Sequence, residues 1–261
     1  MTIVTRIDKD AVAHLTLNRP EALNALSDDM LAALKAELEA LAEDRNIRVI
    51  TLAGAGKVFC AGHDLKEMQA GRQSEDGGAA YFDDLFARCG AVMKLIPRLP
   101  QPVIAKVHGI ATAAGCQLVA SCDLAVAAEG TRFGVNGVNI GLFCSTPMVA
   151  LSRNLGRKRA FELLTTGTFM EADEAQRTGL INRVVPPGDL DRATEEVSDL
   201  IASKLGSAVA IGKRAYYEQL EMGLSEAYDH TRKVMVHNML NRDTDEGIQA
   251  FIEKRTPDWS Q

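Results

Sequence analysis

Two short runs of small residues, Ala61-Gly62-His63 and Ala113-Ala114-Gly115, each offer bare backbone N–H groups to an incoming ligand. A pair of such turns aimed at one oxygen makes an oxyanion hole, which stabilises the negative charge that builds on a carbonyl during acyl or enolate chemistry. The side chains that follow are Gln117, Gly137 and Asn139. An amide holds a water or a hydroxyl by hydrogen bonds but takes no proton at neutral pH, and a glycine does neither. The stretch from His108 to Pro147 therefore reads as a site that polarises a carbonyl yet has no carboxylate where an acid or base is expected.

These turns need strands and helices to hold them. Residues 3 to 7 and 11 to 17 alternate apolar and polar around a turn at Asp8 to Asp10, which predicts an opening β-hairpin. Ser27 is placed to cap a helix with Asp28 and Asp29 in its first turn and Met30, Leu31, Leu34, Leu38 and Leu41 on its apolar face. Strands are expected at 47 to 53, 102 to 107 and 123 to 128, with a helix from about 115 to 121. Between Gln69 and Gly78, QAGRQSEDGG predicts a mobile loop covering the site. Helices are expected at 145 to 154, 157 to 166 and 171 to 178, then a strand at 181 to 185 and helices from 189 onward. Strands alternating with short helices indicate an α/β fold. The apolar stripes within 207 to 254 suit either another subunit or the chain's own core.

Composition narrows the function classes. The 261 residues carry 29 basic and 35 acidic side chains, a net charge of −6, which disfavours nucleic acid as a partner. No apolar run has the length of a membrane span, so membrane insertion is not expected. The five cysteines, Cys60, Cys89, Cys116, Cys122 and Cys144, have neither zinc spacing nor the pattern of a disulfide framework. Without a signal-like N-terminus, the expectation is a cytoplasmic protein with no metal.

Five segments carry a resemblance: LNRPEALNAL at 17 to 26, VFCAGHDLKEM at 58 to 68, PVIAKVHGIATAAGCQLVASCDLAVA at 102 to 127, AFELLTTGTFMEADEAQRTGLINRVV at 160 to 185, and FIEKRTPDW at 251 to 259. In this order and spacing the chain resembles the crotonase superfamily, the enoyl-CoA hydratase/isomerase family, over essentially its whole length. The resemblance implies a crotonase-like spiral of ββα turns at residues 1 to 200 with an acyl-CoA site. It also implies a C-terminal helical trimerisation region at 201 to 261, in a homotrimer or dimer of trimers. The ligand would be a coenzyme A thioester, with no other cofactor.

The resemblance assigns the oxyanion donors to the backbone N–H groups of His63 and Ala114, with Gly115 and Asn139 beside the substrate. Ala22, Leu23, Ala61, Gly62, Asp64 and Leu65 would line the groove for the adenine and pantetheine parts, and Phe251 and Lys254 would reach the nucleotide on a neighbouring subunit. It also places the two catalytic glutamates of hydratases at Gln117 and Gly137. Each acid or base contributes roughly 10²–10⁴-fold, so hydratase activity is expected to be weak or altered. Replacement groups are His63, Asp64, Cys144, Glu75, Asp83 and Asp84, each with a plainer structural or solvated role beside the chemical one; Asp123 suits a turn acceptor. Two functions follow: an enzyme of fatty acyl-CoA metabolism, a lyase or another that forms an enolate, or a non-catalytic protein that binds and sequesters acyl-CoA. Restoring glutamate at both 117 and 137 is the direct test of the site.

Overall fold

A computed structural model describes residues 2 to 259. The chain opens with the hairpin β1 (Val4–Lys9) and β2 (Val12–Leu17), followed by α1 (Asp28–Glu43) and β3 (Val49–Gly54). Then come α2 (Leu65–Gly71), α3 (Ala79–Leu95), β4 (Val103–Val107), β5 (Ile110–Thr112), α4 (Ala114–Ser121), β6 (Leu124–Ala128) and β7 (Arg132–Gly134). The rest comprises α5 (Pro147–Asn154), α6 (Arg157–Thr166), β8 (Phe169–Glu171), α7 (Ala172–Thr178), β9 (Arg183–Val185), α8 (Leu190–Ala202), α9 (Gly206–Gln219), α10 (Leu224–Met239) and α11 (Arg242–Glu253).

The strands form two sheets, one in the order β1-β2-β3-β4-β6-β9 and a smaller one in the order β5-β7-β8. The large sheet is parallel except for the opening hairpin. The chain visits the two sheets alternately. β4 leads to β5 and then α4; β6 leads to β7 and then α5 and α6. β3 leads to Cys60, which bridges Ala111 of β5 in parallel, and then to α2 and α3. Each circuit is thus a ββα turn, and stacking the circuits makes the spiral. Because parallel strands are covered on both faces, β3 is buried throughout. Ile50, Val103, Ala105 and Val107 face the main core with α1, α3 and α4, while Val49, Ile104 and Val126 face Leu190 and Ala193 of α8.

Ser27 caps α1, its hydroxyl accepting from Met30 N at 3.1 Å. The 69–78 segment has local structure of its own. Its first part completes α2, and the turns after it are fastened by Asp76, whose carboxylate accepts from the Ser74 hydroxyl and the Gly78 and Ala80 amides. Those three donors draw the Asp76 carboxyl down to about 2, the Ala80 amide contributing most. Asp76 therefore ties down the first turn of α3 through the Ala80 amide, although Gly78 is the N-cap; the sequence reading left this 17-residue helix out.

α9 docks through a buried polar knot. The Lys213 ammonium donates to Ile96 O at 2.9 Å, Gln101 O at 2.8 Å and Asp123 Oδ2 at 2.6 Å. Asp123 also accepts from Val103 N at 2.6 Å and from the Tyr217 hydroxyl at 2.8 Å, so it is a structural acceptor with its oxygens occupied. Beyond α9 burial is sparse: α10 has no buried residue, α11 buries Ala250, and Leu224, Tyr228, Met235, Leu240 and Phe251 stand exposed. Among the described residues, no helix is long and apolar enough to cross a membrane.

Candidate active site

The backbone sets the two small-residue turns abreast. Cys60 N donates to Ile110 O at 3.2 Å, and Thr112 N donates to Cys60 O at 3.1 Å, so residues 59–60 run parallel to β5. Cys60 pairs with Ala111, and His63 and Ala114 each lie three residues further on. Gly115 makes this closeness feasible, because a Cβ there would come within 2.3 Å of Cys60 O. At Gly62, with φ +91°, a Cβ would fall 3.3 Å from Ala114 N. The two turns therefore touch, and neither the His63 nor the Ala114 amide donates to another group of the chain among the described residues.

Ala113 reaches this geometry at a cost. Its φ of 49° and ψ of −120° belong to a region that glycine favours, and a non-glycine residue there stores on the order of 1–3 kcal/mol. The hydrogen bond from Ala113 N to Gly134 O at 2.9 Å and the β5–β7 pairing hold the turn in place. The outcome is an Ala114 N–H at the start of α4, where the helix dipole adds partial positive charge.

The rim comes from β2's exit loop. Asn24 is fully buried, its amide donating to Ala55 O and Val58 O and accepting from Arg19 N. Ala61 N donates to Leu23 O at 3.1 Å and Leu26 N to Gly62 O at 2.7 Å, which joins Ala22 and Leu23 to Ala61, Gly62 and Leu65 in one edge. Leu23 and Leu65 are exposed along it. Asp64 caps α2 by accepting from Lys66 N at 3.0 Å and lies 3.8 Å from Arg19, which makes it an anchor of the loop.

His63 turns its ring onto Phe86 of α3, edge-on at 5.7 Å between centroids, and Phe86 stacks on Phe82. Burial, helped by the nearby Arg88 guanidinium, pushes the imidazole down to about 4, so it is neutral at physiological pH. The aromatic wall of Phe82 and Phe86 was missed in the sequence reading; its signal was the i, i+4 spacing.

Gln117, on α4, is buried, and its Oε1 meets no donor of the chain. Gly137 lies in a tight 3₁₀ turn, Asn136–Ile140, whose chain folds back over it: Leu142 N donates to Gly137 O at 2.9 Å. A Cβ at 137 would stand 2.3 Å from Leu142 O and 2.9 Å from Cys144 Sγ. A glutamate therefore has no room there without opening the turn, which removes the double restoration as a simple test. Asn139, in the same turn, donates to Gly167 O at the end of α6 at 3.2 Å.

Cys144 is buried and its thiol is raised by burial, which leaves it protonated. Glu75, Asp83 and Asp84 are exposed, and Asp84 pairs with Arg88 at 2.6 Å. Phe251 on α11 lines a depression with Leu205, Thr244 and Trp259, away from the turns of its own chain, and Lys254 follows the end of that helix. Among the described residues, no group of three or more His, Cys, Asp or Glu side chains could hold a metal ion.

The family model for enoyl-CoA hydratase/isomerase matches residues 8–261. The chain belongs to this family. It is 46% identical over 252 residues to rat enoyl-CoA hydratase domain-containing protein 3, mitochondrial, covering 97% of this chain and 82% of the relative. The crystal structure of an enoyl-CoA hydratase from Mycobacterium smegmatis is 54% identical, covers 99% of both chains and superposes with a TM-score of 0.95. The human domain-containing protein 3 structure is 43% identical, with a TM-score of 0.94 over 98% of this chain and all, 100%, of the other. The family's fold is therefore this chain's fold. The expectation of a cytoplasmic protein is corrected, since the rat, mouse, frog and human relatives are all named mitochondrial.

Proposed function

We propose that this chain binds acyl-CoA thioesters, holding the thioester carbonyl between the amides of His63 and Ala114, and that its chemistry is enolate stabilisation with little addition of water. The observation that carries this reading is the parallel pairing of Cys60 with Ala111, which lays two free amides side by side at the start of α4. Each such donor is worth on the order of 10²–10³-fold where charge develops on oxygen. The groups that would move protons for hydration are missing: Gln117 is an amide and Gly137 is closed over by Leu142 and Cys144. Ala22, Leu23, Ala61, Gly62, Asp64 and Leu65 form the groove for the coenzyme, Asp64 by fixing the loop.

Turnover of crotonyl-CoA and longer 2-enoyl-CoAs tests the reading, with calorimetry on the same thioesters. Binding at micromolar concentration with a hydration rate several orders of magnitude below that of a relative bearing both glutamates is the expected result. Full hydratase rates would refute it, and so would absence of binding. The closed turn at Gly137 and the neutral His63 also favour a second reading, a non-catalytic acyl-CoA carrier; it predicts binding with no conversion of any thioester.

The exposed apolar side chains of α9 to α11 support residues 201 to 261 as an oligomerisation region, in a trimer or dimer of trimers. In that assembly Phe251 and Lys254 would face a neighbouring subunit's nucleotide. Light scattering on the purified chain tests it, a monomer at micromolar concentration being the refuting result.

A further inference from the structure

Ala113 stands in a backbone conformation that its own side chain disfavours. Its φ of 49° and ψ of −120° are those of the first central residue of a type II′ turn, a position that glycine normally fills. Positive φ alone does not set it apart: Leu23 and Lys254 share it, but with ψ of 34° and 39° they sit in the small left-handed region open to L-residues. A glycine at 113 would make the same turn without strain. Strain of this kind persists where the surrounding structure imposes it, and it collects at functional sites. Here it is carried by one methyl group. Ala113 is half-buried and flanks the main core, so burial stabilises that methyl less than it would inside the core.

The methyl lies between the two turns. A Cβ built on Gly62 would meet Ala113 Cβ at 2.9 Å, ahead of Thr112 O at 3.1 Å and Ala114 N at 3.3 Å, so the open side of Gly62 faces the methyl first. Each free amide belongs to the next residue along, His63 after Gly62 and Ala114 after Ala113. The outer side of each turn is fastened elsewhere: Ala113 N donates to Gly134 O at 2.9 Å, and Gly62 O accepts from Leu26 N at 2.7 Å. With the outer sides fastened, the contact between the turns sets their spacing. We propose that Ala113 is a positioning residue whose methyl rests on Gly62 and fixes the separation of the His63 and Ala114 amides. This rests on the thioester reading above and adds to it the group that sets the width of the amide pair.

The probe is butyryl-CoA isotopically labelled at the thioester carbonyl carbon, and the readout is the carbonyl stretch of the bound ester in infrared difference spectra of the full chain. Two converging N–H donors polarise the C=O bond and lower its frequency. The unaltered chain is expected to give one narrow band below that of the free ester. Ala113→Gly should broaden the band and return it toward the free value, and should weaken ester binding by about 2–10-fold in calorimetry, the range for one hydrogen bond loosened. Its melting temperature should stay level or rise, because the strain leaves with the methyl. Ala113→Ser keeps the Cβ and should restore both band and affinity. A methyl that only fills space gives the reverse, a lower melting temperature with an unmoved band, and that result overturns the proposal. So does a band displaced equally in the glycine and serine variants. An unaltered chain whose bound ester absorbs at the free-ester frequency refutes the thioester reading itself, an outcome distinct from a lowered band that survives Ala113→Gly.

Discussion

Replacing Gly137 with alanine isolates the steric argument from the chemical one. The added methyl would lie 2.3 Å from Leu142 O and 2.9 Å from Cys144 Sγ, against roughly 3.5–4.0 Å for a comfortable contact. The first contact is with backbone that Leu142 N already ties to Gly137 O, so relief needs movement of the whole 142–144 segment. Overpacking of this kind costs about 1–3 kcal/mol, and the backbone contact places this site toward the upper end. At about 2–4 °C per kcal/mol for a chain near this size, the melting temperature should fall on the order of 5–10 °C. Differential scanning calorimetry with Gly90→Ala as the control gives the comparison. Gly90 lies inside α3 with nothing within 4 Å of a built Cβ, so that change should stabilise by about 1 kcal/mol. If Gly137→Ala melts with the unaltered chain, the turn is free to open and the case against a carboxylate at 137 collapses.

Further predictions concern His63, Lys213 and Gly115. His63 titrates near its ordinary 6.5 when unfolded and near about 4 when folded, so the unfolded chain binds more protons between those values. Stability should fall as pH drops through that window, by on the order of 3 kcal/mol, and level off below it for this group. Urea unfolding of His63→Asn should show a correspondingly shallower loss; parallel pH profiles would mean that the imidazole is not buried neutral. Lys213→Met leaves the carbonyls of Ile96 and Gln101 and the Asp123 carboxylate short of a buried cation, and should cost about 3–5 kcal/mol in chemical denaturation. Gly115→Ala would drive a methyl to 2.3 Å from Cys60 O, so thioester affinity by calorimetry should drop at least about tenfold as the turns separate. Unchanged affinity would mean that the two turns do not act together.

The sequence made the turns readable because their physics is local. Small residues at 61–62 and 113–115, a glycine where φ is positive, and a helix starting directly after the second turn are all visible without tertiary knowledge. Ser27 and its helix, the strands of the large sheet and the ββα alternation were legible for the same reason. α3 was not, because its N-cap is a glycine, Gly78, and the carboxylate that ties down its first turn, Asp76, is separated from the helix by two glycines that read as loop. Asn139 and Gly137 were also illegible as to role, since both depend on contacts across the fold: Asn139 with Gly167, and Gly137 with Leu142 and Cys144. A substitution read along the sequence shows which functional group is missing. Only the packing around it shows whether the group can be put back.

That distinction separates the two positions where the family resemblance places glutamates. Gln117 has the size and shape of a glutamate, and its buried Oε1 is without a donor from the chain. At Gly137 the space itself is gone, filled by the chain's own backbone. Gln117→Glu alone would therefore add an ionisable group beside the proposed oxyanion site and leave its two amides unchanged. The single variant is expected to retain thioester binding and to gain proton exchange at the thioester α-carbon, read as deuterium uptake by NMR, without gaining hydration of crotonyl-CoA. Hydration appearing in Gln117→Glu would mean that one carboxylate suffices to add water in this site, and the weight placed on the closed Gly137 turn would be misplaced. Retained binding with neither exchange nor hydration would mean that the carboxyl does not reach the α-carbon, and the assignment of Gln117 to the acyl end of the site would be wrong.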